Sequence, residues 1–526
     1  MDRQPLDDLA ARFREGRLNR RRLLQGALAL GLSGSALAAF LEACGNGGGG
    51  SGTTSTQSKM TVGIIQEPTS LDPTRDATAS IALLLMNNVY EGLVRLDPTG
   101  KIVPALAKSW DQSSDGKTYT FHLQSGVKWH DGSPFSAQDV KWSWDRAAST
   151  ATTPKNPHQD YWGPVQSVDV VDDNTVKVTL KAFSYNWLFH MTAGSAVIMS
   201  QKSQPTNDTQ PVGTGPFKFG SWNKGNSLSL TRNDTYWGTK AKLKDVVFRF
   251  ISDPNAMNNA LKAGDIDVIQ QVGGPEQAAS FKQDSNFQVL EGAPVGKTGV
   301  YINNARIKDP NVRKAIYAGI DRKAWIDGIQ AGYAVPIGSH SVPNDTEPYY
   351  VDETSVNAYD VNKAKQLLQQ AGATGLTITL AQITDFPYAV RGTDILASEM
   401  KDIGVTLKVN PMQFSAWLKN VFGAKDYDVT IINHVEARDI ANYANPNYYW
   451  GYSNSQVSDW LKQADAEPDD AKRKTLYANV QKQLATDAVH AWVFAAKTLA
   501  IAKKNLKGFP AGSIAPGLYL AGCYFS

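Results

Sequence analysis

Cysteine is nearly absent from this 526-residue chain, which has only Cys44 and Cys523. A disulfide framework is thereby excluded, and the folded body has to rest on ordinary apolar cores. A strong charge of one sign is missing too. The first 43 residues carry seven arginines and five acids, so the remainder holds 46 basic against 45 acidic side chains. That balance leaves neither a nucleic-acid footprint nor a polyanionic surface, and no nucleic-acid partner is expected. Beyond residue 41 no apolar run is long enough to cross a bilayer. The seven histidines (His122, His130, His158, His190, His340, His434 and His490) share no helical turn. There is no His-Glu-x-x-His, no paired-cysteine zinc spacing and no Gly-x-Ser-x-Gly elbow. Gly213-Thr214-Gly215 runs into Pro216-Phe217 and is no nucleotide fingerprint. No catalytic residue, metal or cofactor is therefore assigned, and an anchored hydrolase is kept only as a remote alternative.

What is present begins with a leader. Asn19-Arg20-Arg21-Arg22 precedes an apolar stretch, Leu23 to Leu41, diluted by Gly26, Gly31, Ser33, Gly34 and Ser35. A charged segment followed by a mildly apolar one reads as an export signal over residues 1–43, to be set aside from the fold. The Arg20-Arg21 pair before two leucines resembles a twin-arginine signal. That route exports folded protein, which suits a chain without disulfides. Leu41-Glu42-Ala43-Cys44-Gly45 resembles a lipobox, with Glu42 departing from the small or aliphatic residue usual there. Diacylation of Cys44 supplies the two chains that stable anchoring requires. Residues 44–59 are rich in Gly, Ser and Thr and read as a flexible tether. The expected location is the extracytoplasmic face of the cell membrane, lipid-anchored.

The 483 residues from Cys44 onward are too many for one core, so two or three domains are expected. Strand and helix signals alternate irregularly, as in a mixed α/β protein. Thr118 to Leu123 alternates with Tyr119, Phe121 and Leu123 on one face. Val168 and Val170, the turn Asp172-Asp173-Asn174, then Val176, Val178 and Leu180 read as a hairpin. Helices show their starts and stops: Asn255 to Ala263 before Gly264, Asn311 to Gly319 behind Asp309-Pro310, Val361 to Ala371 behind Asp360, and Thr393 to Ile403 before Gly404. Two amphipathic helices, Gln456 to Ala464 and Asp469 to Ala485, close the last third.

Several segments together carry a resemblance. They include Tyr90-Glu91-Gly92-Leu93-Val94, Gly126-Val127-Lys128-Trp129-His130-Asp131-Gly132 and Gly213-Thr214-Gly215-Pro216-Phe217. Ala260-Leu261-Lys262-Ala263-Gly264-Asp265-Ile266-Asp267 and Val312-Arg313-Lys314-Ala315-Ile316 belong to the set, as do Val103 to Ala107, Ser114 to Tyr119, Pro134-Phe135, Asp139-Val140 and Ile320 to Arg322. Their order and spacing resemble the family 5 solute-binding proteins of ABC importers, which include oligopeptide-, dipeptide- and nickel-binding members. The resemblance implies an α/β, two-lobed periplasmic-binding-protein-like fold (type II, the large three-domain variant) with a ligand cleft between the lobes. It implies domain I from residues 60–97, 211–300 and 496–526, domain II from 98–210, and domain III, the second lobe, from 301–495. The expected protein is a monomeric receptor, not an enzyme, that captures a peptide or other small solute and delivers it to an ABC permease driven by ATPase subunits. Most of the motif residues read as structural. Gly126, Gly132 and Gly215 are expected in turns, and Asp131 and Asp139 as caps.

The site expectations follow from peptide chemistry and from the resemblance. A carboxylate should meet an α-ammonium and an arginine an α-carboxylate. In peptide-binding relatives a Gly-Trp-x-x-Asp segment follows a second-lobe strand. Here that stretch reads Asn433-His434-Val435-Glu436-Ala437-Arg438-Asp439, with His434 in the tryptophan's place and Ala437 in the aspartate's. Glu436 and Asp439 are therefore the expected acids, with His434 beside them. Arg391, expected at the head of a helix, matches a carboxylate-binding arginine of dipeptide binders. Tyr448, Tyr449 and Trp450 lie in a dense aromatic loop and are expected to line the pocket. Glu67 faces the cleft in relatives. An oligosaccharide stacked on that loop, or a chelated metal near His434, are the alternatives to a peptide.

Overall fold

Two long strands organise the molecule. In this computed structural model, which describes residues 57–76, 78–151, 155–344, 346, 349–512 and 516–526, strands Phe287–Ile302 and His490–Lys503 run antiparallel through one eleven-stranded sheet. The export signal, the lipobox with Cys44 and nearly all of the tether lie outside the described residues. One end of the strand pair joins Phe287–Glu291 to Leu499–Lys503, beside Val268–Ile269, Lys59–Ile64, Asp245–Phe250, Ser227–Arg232 and Phe217–Asn223. The other end joins Thr298–Tyr301 to His490–Phe494, beside Val429–His434, Thr377–Ile383 and the edge strand Thr406–Met412. Between the two ends the register shifts from Glu291 to Pro294 and again from Val295 to Thr298. Bulges of this kind bend a strand and re-aim its side chains, and these sit where one lobe gives way to the other.

Each lobe has its own apolar centre. One core runs from Val300 to Ala495 and includes Trp325, Trp417, Trp450 and Trp492; we call its surroundings the carboxyl lobe. The amino lobe has a core that joins Met60, Val62 and Phe248 to the chain's last residues, among them Leu520, Cys523 and Phe525. The Cys523 thiol is fully buried there, and burial pushes its pKa up to about 12. A further core, with Phe121, Trp144 and Trp187, packs against the four-stranded antiparallel sheet of Ala107–Gln112, Thr118–Leu123, Thr175–Leu180 and Val165–Asp172. Each such aromatic removes a large area from water.

The helix starts follow local chemistry. Asp253, Asp309, Asp321, Asp360 and Asp469 each accept a backbone N–H at the head of a helix. Asp139 closes a capping box with Ser136. Asp131 accepts from Ser133 in a turn and pairs with Lys202 at 2.7 Å. The helix expected from Thr393 begins earlier and spans Pro387–Asp402, because Pro387 opens its first turn and interior Gly392 packs beneath the Trp325 ring. Gly215 serves close approach rather than a turn: a Cβ there would stand 2.3 Å from the carbonyl oxygen of Asn88, and one on Gly213 would stand 1.8 Å from that of Val89. Among the described residues no helix is long and apolar enough to cross a membrane.

Candidate functional site

The bulged middle of the long strands forms the floor of a cleft. Val295, Gly296, Lys297 and Thr498 border a cavity of about 470 Å³. Its amino-lobe wall includes Tyr161, Phe189 and His190, and its carboxyl-lobe wall includes Asn344, Val435 and Glu436. A second cavity of about 310 Å³ shares Gln271, Val295, Val435 and Thr498 with the first and continues to Pro387, Tyr388 and Arg391. The two form one elongated space between lobes, mostly apolar with a few polar stations, as small-molecule sites commonly are.

Glu436 is exposed on the cavity wall. Opposite it, the rings of His158, Tyr161 and His190 stack in a ladder, with centroids 4.8 and 3.9 Å apart and planes within 11° of parallel. Burial pushes the Tyr161 hydroxyl up to about 12, and the charges of Asp160 and Glu436 push the same way. Burial drives His190 down to about 4, helped by the nearby Arg438 charge. The two rings of the ladder that border the cavity, Tyr161 and His190, are thus a neutral flat surface facing an acid.

Arg391 borders the far compartment, in the second turn of its helix rather than at the head. Its guanidinium makes a two-pronged pair with Glu276 of the other lobe, at 3.1 and 3.2 Å. That bonding raises the Arg391 pKa and lowers that of Glu276.

At the other end the lobes touch directly. The Tyr185 amide donates to the Asp465 carbonyl at 3.1 Å, and Asn186 Nδ2 donates to Asp465 Oδ1 at 3.1 Å. The Tyr185 ring lies under two guanidiniums, Arg438 at 4.6 Å and Arg473 at 4.1 Å. Tyr185 packs against the carboxyl-lobe core although it belongs by sequence to the amino lobe.

Asp439 is placed differently from the expectation of a ligand contact. Its side chain is 3% exposed and pairs with Lys297 Nζ at 2.6 Å and His340 Nε2 at 2.9 Å. Burial alone would raise its pKa, but His340 and Lys297 hold it well below the carboxylate range. His434 is turned inward as well, with Nδ1 3.4 Å from Asp439 Oδ2 and Nε2 2.8 Å from the Tyr449 hydroxyl. Tyr449 and Trp450 are fully buried and border neither cavity, because the loop folds its rings onto Tyr443, Tyr301 and His490. Half-buried Tyr448 leans on Trp450 and Phe422. Glu67 clamps the hairpin between Phe217–Asn223 and Ser227–Arg232, accepting from Trp222 Nε1 at 2.8 Å and from the Gly225 amide at 2.9 Å, and it borders neither cavity. Of the expected residues, Glu436 and Arg391 reach the cleft. Lys297, Tyr161, Phe189 and His190 border it without having been singled out, since no local motif marks them.

No group of three or more His, Cys, Asp or Glu side chains is arranged to hold a metal ion among the described residues. A family model described as "Bacterial extracellular solute-binding proteins, family 5 Middle" matches residues 101–459. The glutathione-binding protein GsiB of Pectobacterium atrosepticum is 28% identical over 474 residues, covering 84% of this chain and 89% of its own. The dipeptide-binding protein of Escherichia coli strain K12 is 27% identical over 462 residues, covering 78% and 84%. Among solved structures, the periplasmic binding protein DppA of Helicobacter pylori, in complex with the peptide STSA, superposes with a TM-score of 0.72 at 25% identity, over 89% of this chain and 98% of that one.

Proposed function

This chain belongs to the family 5 bacterial extracellular solute-binding proteins, non-enzymatic receptors of ABC importers, and from that membership we propose that its solute is a short peptide. The observation that carries the reading is the elongated interlobe cavity with Glu436 on one wall and Arg391 at the far compartment. A zwitterionic chain laid along it would set its ammonium at Glu436, a side chain against the Tyr161–His190 ladder, and its carboxylate on Arg391 in exchange for Glu276. Relatives that bind glutathione, dipeptides and the peptide STSA support the same class.

In the full reading, Cys44 is acylated after twin-arginine export and the tether holds the body off the membrane. The division into domain I (60–97, 211–300, 496–526), domain II (98–210) and domain III (301–495) makes the paired long strands the hinge. Lobe closure about it buries the solute, and the closed form docks on a permease whose ATPase subunits drive import. The oligosaccharide alternative was argued from Tyr448 to Trp450, and the inward packing of Tyr449 and Trp450 removes that support for it.

Native mass spectrometry of the protein purified without denaturation tests the class. Bound masses that fragment as peptides support the reading. A single discrete non-peptide mass would replace it.

A further inference from the structure

Lys297 is brought to the cleft floor by a backbone irregularity. The register between the long strands slips between Val295 and Thr298, and Gly296 takes φ of +72° with no room for a Cβ beside Asn433. The slip turns the next side chain inward, where Lys297 is 2% exposed. Its Nζ donates to Asp439 Oδ1 and to the Glu436 carbonyl, each at 2.6 Å. One ammonium thus grips both ends of the segment Glu436 to Asp439.

His340, hydrogen-bonded to the same carboxylate, does not supply the balancing charge. His340 Nδ1 faces two partners, the Tyr443 hydroxyl at 2.9 Å, which can donate or accept, and Trp492 Nε1 at 3.4 Å, which can only donate. His340 Nδ1 therefore accepts, Nε2 carries the proton that Asp439 receives, and the ring is neutral. Burial acts in the same direction, keeping the His340 pKa low. A carboxylate buried to this degree needs a full counter-charge, and Lys297 provides it.

We infer that Lys297 is the resident counter-ion of Asp439 and a specificity-determining, positioning residue: it closes Asp439 to ligand ammonium groups and presents Glu436 to the cleft as the acid that receives them. The ligand consequence rests on the peptide reading above; the pairing itself does not. Glu436 is solvated, so its attraction for an ammonium is screened. Preference for a free over a blocked amino terminus should accordingly be modest, and it should belong to Glu436.

Chemical rescue in the full chain tests the pairing without any ligand. Lys297→Ala should lower the Tm by several degrees, propylammonium should restore most of the loss, and isosteric 1-propanol should not. Equal rescue by both, or no loss at all, would overturn the inference. As an independent check, Lys297→Met and Asp439→Asn should each destabilise more than the double variant does; strictly additive losses would also overturn it. The ligand consequence is read from the affinity ratio of one peptide with free and acetylated amino termini. Glu436→Gln should bring that ratio close to one, whereas Lys297→Met/Asp439→Asn should weaken both peptides alike. The reverse pattern would show that Asp439 receives the ammonium. If neither peptide binds wild-type protein, the peptide reading falls, and the amine rescue still decides whether Lys297 occupies Asp439.

Discussion

Arg438 holds its guanidinium 4.0 Å from the ring centroid of Phe189, reaching from the carboxyl lobe to the amino lobe. The same group lies over Tyr185 and donates to Asn186 Oδ1 at 3.2 Å. Its own backbone adopts φ of +61°, a conformation non-glycine residues rarely take, which turns consecutive side chains in different directions. Arg438 thus leaves toward the other lobe while Asp439 descends to Lys297.

This contact should set how readily the lobes stay together. Tyr185→Ala removes the ring shared by Arg438 and Arg473. A cation–π contact contributes about 0.5–1 kcal/mol where exposed and about 2 kcal/mol where desolvated. We expect solute affinity to fall about tenfold, ~1.4 kcal/mol. Small-angle scattering of the ligand-free variant should show a larger radius of gyration. An unchanged radius and affinity would mean the contact does not hold the lobes.

Arg391 and Glu276 are both close to half exposed. A pair so solvated contributes about 0–1 kcal/mol, so Arg391→Ala should leave the unfolding midpoint nearly unmoved. Affinity for a peptide with a free carboxyl terminus should fall at least tenfold, or about 1.4 kcal/mol, while its amide analogue should bind the variant and wild type alike. Calorimetric titration with the two peptides separates these outcomes.

The local signals in the sequence were those that act over one turn. Aspartate before a helix and glycine or proline at its margins marked Pro310–Ala318 and Val361–Gln370 closely, because a cap is satisfied by backbone two or three residues away. The long strands were not legible. Phe287–Ile302 contains Gly292, Pro294 and Gly296, which read as breaks, and only pairing with His490–Lys503 makes it continuous. The cleft was legible where a relative's motif could be laid on the chain, at Glu436 and Arg391. Asp439 lies two residues past the place where that motif carries its aspartate, and its fate is decided by a lysine 142 residues earlier in sequence. The ladder of His158, Tyr161 and His190 likewise exists only in three dimensions.

Acid should weaken the body through His190. Its pKa in the fold is near 4, against 6.5 for the free side chain, because burial disfavours the charged ring and Arg438 and His158 add repulsion that Asp160 only partly offsets. Between those values the unfolded chain binds more protons than the folded one, so stability is full above pH 6.5 and declines as pH falls toward 4. His190→Phe keeps a ring against Tyr161 and removes the titration. Its unfolding midpoint should depend less on pH in that window than the wild type's. Some dependence should persist, because burial also drives His130 down to about 4. A variant with the wild-type pH profile would exclude His190 as a source.

Trp450 separates a core role from a binding role. It has no exposed surface, and its ring lies 4.3 Å from Tyr448, 4.5 Å from Tyr443 and 5.2 Å from His490, centroid to centroid. Truncating such a residue to alanine removes its contacts and leaves a cavity the neighbours fill only in part, a loss of about 3–5 kcal/mol. We expect Trp450→Ala to lower the denaturant midpoint strongly. Trp450→Phe should lower it less, since it keeps most of the ring stacking. Affinity should follow the folded fraction alone: measured where each variant is still native, Trp450→Phe should bind solute as the wild type does. A Trp450→Phe protein with an unmoved midpoint and a weakened affinity would instead put this ring in contact with solute, which requires the loop to open in the bound form.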